Sequence, residues 1–65
     1  MNKIKGYRNM AGLTQKEMSE VLGIAESTYR KKEKGYSNFK DYEIKKFSEV
    51  INRINPDVSV KDIFF

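Results

Sequence analysis

Four cations crowd into five residues of this chain: Arg30, Lys31, Lys32 and Lys34, in the run YRKKEK. Guanidinium and ammonium groups donate hydrogen bonds and accept none, which suits them to phosphate oxygens and to the O6/N7 edge of guanine. The charge around them is uneven. Residues 1–40 hold nine cations against four anions, whereas residues 41–65 hold four against five. The net +4 therefore comes from the front of the chain. Clustered Lys/Arg in a basic domain is the electrostatic footprint of a nucleic-acid binder. Basicity alone fits a solvated helix face equally well. Other chemistry is scarce. The chain has no histidine and no cysteine, so the commonest metal ligand and the commonest general base are missing, as are disulfides and thiolate sites. Carboxylates such as Asp41 and Glu43 are present, but nothing pairs them with a pocket or a base, and an enzyme is not expected. No metal, cofactor or small-molecule ligand is evident.

The cations must be positioned by the stretch Gln15–Lys34, QKEMSEVLGIAESTYRKKEK, which reads as two short helices joined at Gly23. Thr14-Gln15-Lys16-Glu17 fits a capping box, with Leu13 and Met18 placed for a hydrophobic staple. Met18, Val21 and Leu22 form an apolar stripe, and Ser19 is small enough for a close helix crossing. Gly23 supplies the sharp stop, and Ile24 turns back to the core. A further helix, about 26–34, points Tyr29 inward and ends at Gly35. Ala25 stands where a capping side chain is usual, with Ser27 as a substitute cap from a slightly later start.

The flanks supply the rest of an all-α bundle of about five short helices. A first helix over 2–10 is capped by Asn2, carries Ile4 and Tyr7 at helical spacing with Ala11, and ends at Gly12. After a polar loop, Ser37-Asn38 can cap a helix over about 40–53, with Ile44, Phe47, Val50, Ile51 and Ile54 on one face. Asn55-Pro56 breaks it. Ser59-Val60-Lys61-Asp62 reads as another capping box, opening a last turn or two with Ile63, Phe64 and Phe65. One domain over residues 1–65 is expected. The N-terminal MNKIKGYRNM has no apolar run for secretion, and no stretch approaches the roughly 20 apolar residues of a membrane span, so a cytoplasmic protein is expected, without a membrane partner.

A helix of about eight residues, a glycine, one apolar residue and a second helix two residues later is the helix-turn-helix layout. Gln15, Met18, Ser19, Leu22, Gly23, Ile24 and Tyr29 occupy its usual positions. With Leu13-Thr14-Gln15 before it, Glu33-Lys34-Gly35 at its end and Asp62-Ile63-Phe64-Phe65 at the close, the chain resembles the Cro/CI-type (XRE-like) phage and bacterial repressor family over about residues 3–65. The resemblance implies a lambda-repressor-like DNA-binding domain. Two positions depart from the family pattern. Ser19 replaces a small alanine. Lys32 replaces an apolar residue, and is expected to lay its stem on the core, keep its ammonium in water and add a phosphate contact.

The resemblance also implies roles. The recognition helix enters the major groove by its N-terminal part, placing Glu26, Ser27 and Lys31 toward the bases, with Arg30 at the margin. Glu26 has the alternative of simply favouring the helix N-terminus. Gln15 and Lys34 are expected at the DNA backbone, and Tyr36, Ser37, Asn38 and Lys40 form a second phosphate clamp. Arg8 and Glu33 match a pair that ties the first helix to the recognition helix. The implied activity is sequence-specific repression at a double-stranded DNA operator. Such readers usually dimerise on palindromes, and the C-terminal Ile63, Phe64 and Phe65 are the candidate homodimer surface, unless Ile63 and Phe64 complete the core instead. The competing reading is an antitoxin or accessory module of the same fold whose main contact is another protein, with Val21 marking that surface.

Overall fold

A computed structural model describes residues 2–65, and every regular element among them is an α-helix. The order is α1 (Lys3–Met10), α2 (Gln15–Leu22), α3 (Glu26–Glu33), α4 (Asp41–Ile54) and α5 (Val60–Phe64). None of these is long and apolar enough to cross a membrane.

Local chemistry sets most boundaries. Asn2 caps α1 by accepting from the Lys5 N–H at 3.0 Å. Thr14 and Glu17 form the reciprocal box that opens α2, and Ser59 and Asp62 repeat it at α5. The first three helices end alike. Gly12, Gly23 and Gly35 each have positive φ, and in each case the next residue donates its N–H back five positions: Leu13 to Arg8, Ile24 to Ser19, Tyr36 to Lys31. This is the Schellman arrangement, which satisfies carbonyls that a helix end leaves free. At Gly23, φ of 72° lies where L side chains are strained, so glycine keeps the α2–α3 turn short.

Packing follows the apolar periodicity. Met18, Leu22, Tyr29, Phe47, Ile51 and Ile63 are fully buried, with Ile4, Tyr7, Leu13, Ile24, Phe39 and Phe64 among those closing around them. Helix α2 packs on α3 and α4, and α5 bridges α1 and α4. Edge-to-face aromatic contacts run from Tyr29 through Phe39 to Phe64 and on to Phe47, with centroids 5.4–6.1 Å apart. Helix α3 thus stands, through Tyr29, on this aromatic cluster.

Several expectations change. Ser27 does not cap α3: the helix starts at Glu26, and Ala25 takes the cap position without a side-chain bond. Ser37 and Asn38 do not cap α4 either. The cap position is Lys40, whose N–H donates to Glu43 Oε1 at 2.8 Å. Val21 leaves the apolar stripe and is 38 % exposed, and Ile54 is 52 % exposed. Both lie beyond the width of surface that the neighbouring helices cover. Ile63 is buried and Phe64 belongs to the aromatic cluster, so Phe65 alone of the three C-terminal residues is largely exposed.

Candidate nucleic-acid interface

The four cations of the opening run have separate fates. Lys32 is 8 % exposed, and its ammonium bonds to Glu43, which has no exposed surface. This corrects the expectation that Lys32 keeps its ammonium in water and adds a phosphate contact, and it gives Glu43, for which the sequence offered no pocket or base, a buried structural partner. A buried ammonium needs a hydrogen-bonded counter-charge, and α4 supplies one. Arg30 bonds Glu26 across one helical turn at 2.6 Å, on the surface. Lys31 and Lys34 are exposed and have no ion-pair partner among the described residues.

The helical repeat explains the division. With Tyr29, Lys32 and Glu33 buried, Ser27, Lys31 and Lys34 fall on the opposite face at i, i+4 and i+7. Arg30 and Thr28 flank that stripe, and both are exposed. Thr28 was not among the sequence candidates, although its spacing from Tyr29 could have identified it. Glu26 is half-buried at the helix start, where an anion suits the dipole.

Glu33 anchors the buried face of α3. Its Oε2 accepts from Arg8 Nε at 2.8 Å, and its Oε1 accepts from Arg8 Nη2 at 3.2 Å and from Gln15 Nε2 at 3.1 Å. Arg8 also donates from Nη1 to the Leu13 carbonyl at 2.8 Å. Burial works to raise the Glu33 carboxyl, but the hydrogen bonds from Arg8 and Gln15, with the Tyr29 phenol close by, outweigh it and hold the group below its ordinary range. The same fork keeps the Arg8 guanidinium above its usual value. Burial, then the neighbouring Glu33 carboxylate, raises the Tyr29 phenol. Asn2 adds a second tie: while its oxygen caps α1, its Nδ2 donates to the Glu33 carbonyl at 2.9 Å. Helix α3 is therefore clamped to α1 at its side chain and at its last carbonyl.

Gln15 is half-buried at the start of α2, with one amide proton given to Glu33. After α3 the chain turns outward. Tyr36 is 79 % exposed, and Ser37, Asn38 and Lys40 are exposed. Leu13 and Ile24, the residues after the other two glycine turns, pack on the core. Tyr36 does not, because the residue it folds back upon is the outward Lys31 rather than the buried Arg8 or Ser19. Lys31, Lys34 and the 36–40 loop are thereby brought together at the C-terminal end of α3.

The asparagine tie, the Gln15–Glu33 bond and the Lys32–Glu43 pair were not found by sequence reasoning. Their partners are 31, 18 and 11 residues apart, so no local pattern marks them. For Lys32, the one signal was a lysine at a position whose neighbours pack inward.

A family model described as helix-turn-helix matches residues 4–58. Comparison with curated proteins and with solved structures found no match. The matched span takes in both helices of the motif, the glycine turn between them and the helices that clamp them, so the chain belongs to the Cro/CI-type (XRE-like) helix-turn-helix family of DNA-binding transcription regulators, with a lambda-repressor-like all-α fold.

Proposed function

We propose that the protein is a repressor that reads the major groove of a double-stranded operator with α3 and excludes other proteins from the promoter. The observation that carries the reading is the division of α3 into a clamped inner face and an exposed stripe of Ser27, Lys31 and Lys34. A reader needs both, because base contacts discriminate only when the side chains are held in register.

Ser27 and Lys31 are the foremost base contacts. Arg30 and Glu26 form a bonded pair that can open, freeing the guanidinium for guanine and the carboxylate for a cytosine amino group. Lys34, Tyr36, Ser37, Asn38 and Lys40 hold the phosphate backbone on one side. On the other, Gln15 retains a second amide proton beside the first N–H groups of α2, a site favourable to phosphate.

Binding to selected and to random duplex DNA, measured across a salt series, tests the reading. A sequence-specific repressor binds selected sites much more tightly and loses affinity with a slope of about −0.9 per phosphate contact. Lys31→Ala is expected to cost about 1–3 kcal/mol at one or two base pairs. Lys40→Ala is expected to weaken all sequences alike and to reduce the slope by about 1. Equal affinity for selected and random DNA would reject specific repression. A palindromic selected site, with half-sites about 34 Å apart, would indicate a dimer. The 38 % exposed Val21, beside a shallow recess with Lys46, Glu49, Val50 and Arg53, favours as second reading a partner protein on α2 and α4. That reading gains if a bound protein co-purifies and DNA binding is indiscriminate.

A further inference from the structure

We infer that Glu43, with Lys32, is a positioning residue for DNA binding: one buried carboxylate oxygen ties the reading helix to the far end of the backbone-contacting loop. The inference rests on the reading of residues 36–40 as a phosphate clamp.

Glu43 Oε1 accepts two hydrogen bonds, one from Lys32 Nζ on α3 and one from the Lys40 N–H where α4 begins. The loop between them is also held at its start, where Gly35 and Tyr36 donate to the carbonyls of Lys32 and Lys31, and by the Phe39 ring, which packs against Tyr29 and Phe64. The backbone N–H groups of Ser37, Asn38 and Phe39 have no hydrogen bond to the described residues. An exposed loop with free N–H groups and both ends pinned presents donors to a phosphate at small ordering cost.

An ordinary helix start needs only the bond to the Lys40 N–H, and a solvated acid would supply it. Here the acid has no exposed surface, and its second oxygen, Oε2, is buried without a partner among the described residues. A buried ion pair with an unsatisfied oxygen is a poor source of stability, and apolar replacements of such pairs are often neutral or stabilising. What the pair does provide is geometry: the lysine comes from the turn of α3 that carries Lys31, and the amide is that of Lys40. Lys32 and Glu43 are buried between α3 and α4, so in the proposed complex they act through Lys31 and Lys40 and not by touching a base or phosphate.

Two double variants of the full chain isolate the tether. Lys32→Met with Glu43→Leu removes both charges and the acceptor. Lys32→Met with Glu43→Gln removes both charges and keeps an oxygen for the Lys40 N–H. Each retains the net charge of +4, so bulk electrostatics is constant. Circular dichroism first fixes a temperature at which all three proteins are folded. The first variant is expected to bind selected duplex DNA about tenfold more weakly, with the salt slope lower by about 1 and faster exchange of the Lys40 amide. The second, which keeps the Lys40 bond but has lost the lysine link to α3, is expected to bind about threefold more weakly, between wild type and the first. Equal binding by wild type and either variant overturns the inference while leaving the DNA reading intact, and so do equal losses in both variants, because the Lys32 link or the Lys40 bond would then carry nothing. Wild-type protein that binds no duplex overturns both. Should the Leu-containing variant fail to fold, Lys40→Pro compared with Lys40→Ala gives the same answer. Both lose the side-chain charge, only proline loses the N–H, and the native φ of −78° admits proline. Weaker binding by Lys40→Pro supports the tether, and equal binding refutes it.

Discussion

Replacing Arg8 by alanine removes three hydrogen bonds in one step: two to the Glu33 carboxylate and one to the Leu13 carbonyl. Glu33 is only 5 % exposed, so its charge would be left inside with Gln15 as its remaining side-chain donor. Breaking one side of a buried pair in this way costs about 3–5 kcal/mol. At about 0.05–0.15 kcal/mol per residue, a chain of 65 residues has a total stability of about 3–10 kcal/mol. The variant would thus lose most of its margin. In a domain of this size each kcal/mol moves Tm by about 4–8 °C, so a fall of at least about 12 °C is expected at pH 7. The loss should also depend on pH. In wild type the Glu33 carboxyl titrates low. Without Arg8 the burial contribution prevails, its pKa rises, and protonation relieves the variant just where it begins to harm wild type. Thermal melts by circular dichroism from pH 7 to pH 3 should therefore converge in acid. A Tm change under about one degree at pH 7, or a constant difference down to pH 3, would refute the account of α3 clamping.

Three further outcomes follow from the same structure. Ala25 already has extended cap geometry, with φ −66° and ψ 148°, and makes no side-chain bond, so Ala25→Ser should raise stability by about 1 kcal/mol in denaturant melts. Gly23→Ala should destabilise by about 1–2 kcal/mol, through the positive φ and not through a clash, because no atom beyond the two chain neighbours lies within 4 Å of the added carbon. Glu33 and Glu43 both titrate below the ordinary value of 4.5. Their contribution is complete above that value and is lost as pH falls through the lower native-state pKa values, so Tm should hold from pH 7 to about 5 and drop in more acid solution. A wild-type Tm unchanged down to pH 3 would contradict both buried pairs.

The sequence by itself determined what depends on neighbours within one turn. The capping boxes at Thr14 and Ser59, the Asn2 cap, the three glycine stops and the inward Tyr29 all rest on contacts between residues a few positions apart, and each is present. Those local signals also located the helix pair and the family, since the helix-turn-helix is itself a local spacing. Where two local solutions competed, the sequence did not choose correctly. Ser37 and Asn38 are good caps by type, yet Lys40 is the cap and α4 begins at Asp41, because Glu43 reaches back to the Lys40 N–H from inside the core.

Only the tertiary structure decided which charges are available. Lys32 looks like its neighbours Lys31 and Lys34 in the sequence, but its place on α3 faces α4, where Glu43 receives it. Val21 and Ile54 fit apolar stripes by period, but the reach of the packed helices leaves them exposed. Whether a side chain is covered, and what lies opposite it, depends on helix crossings between residues far apart in the chain. The basic run that marked this protein at the outset is resolved by those crossings into two exposed cations, one surface pair and one buried tether.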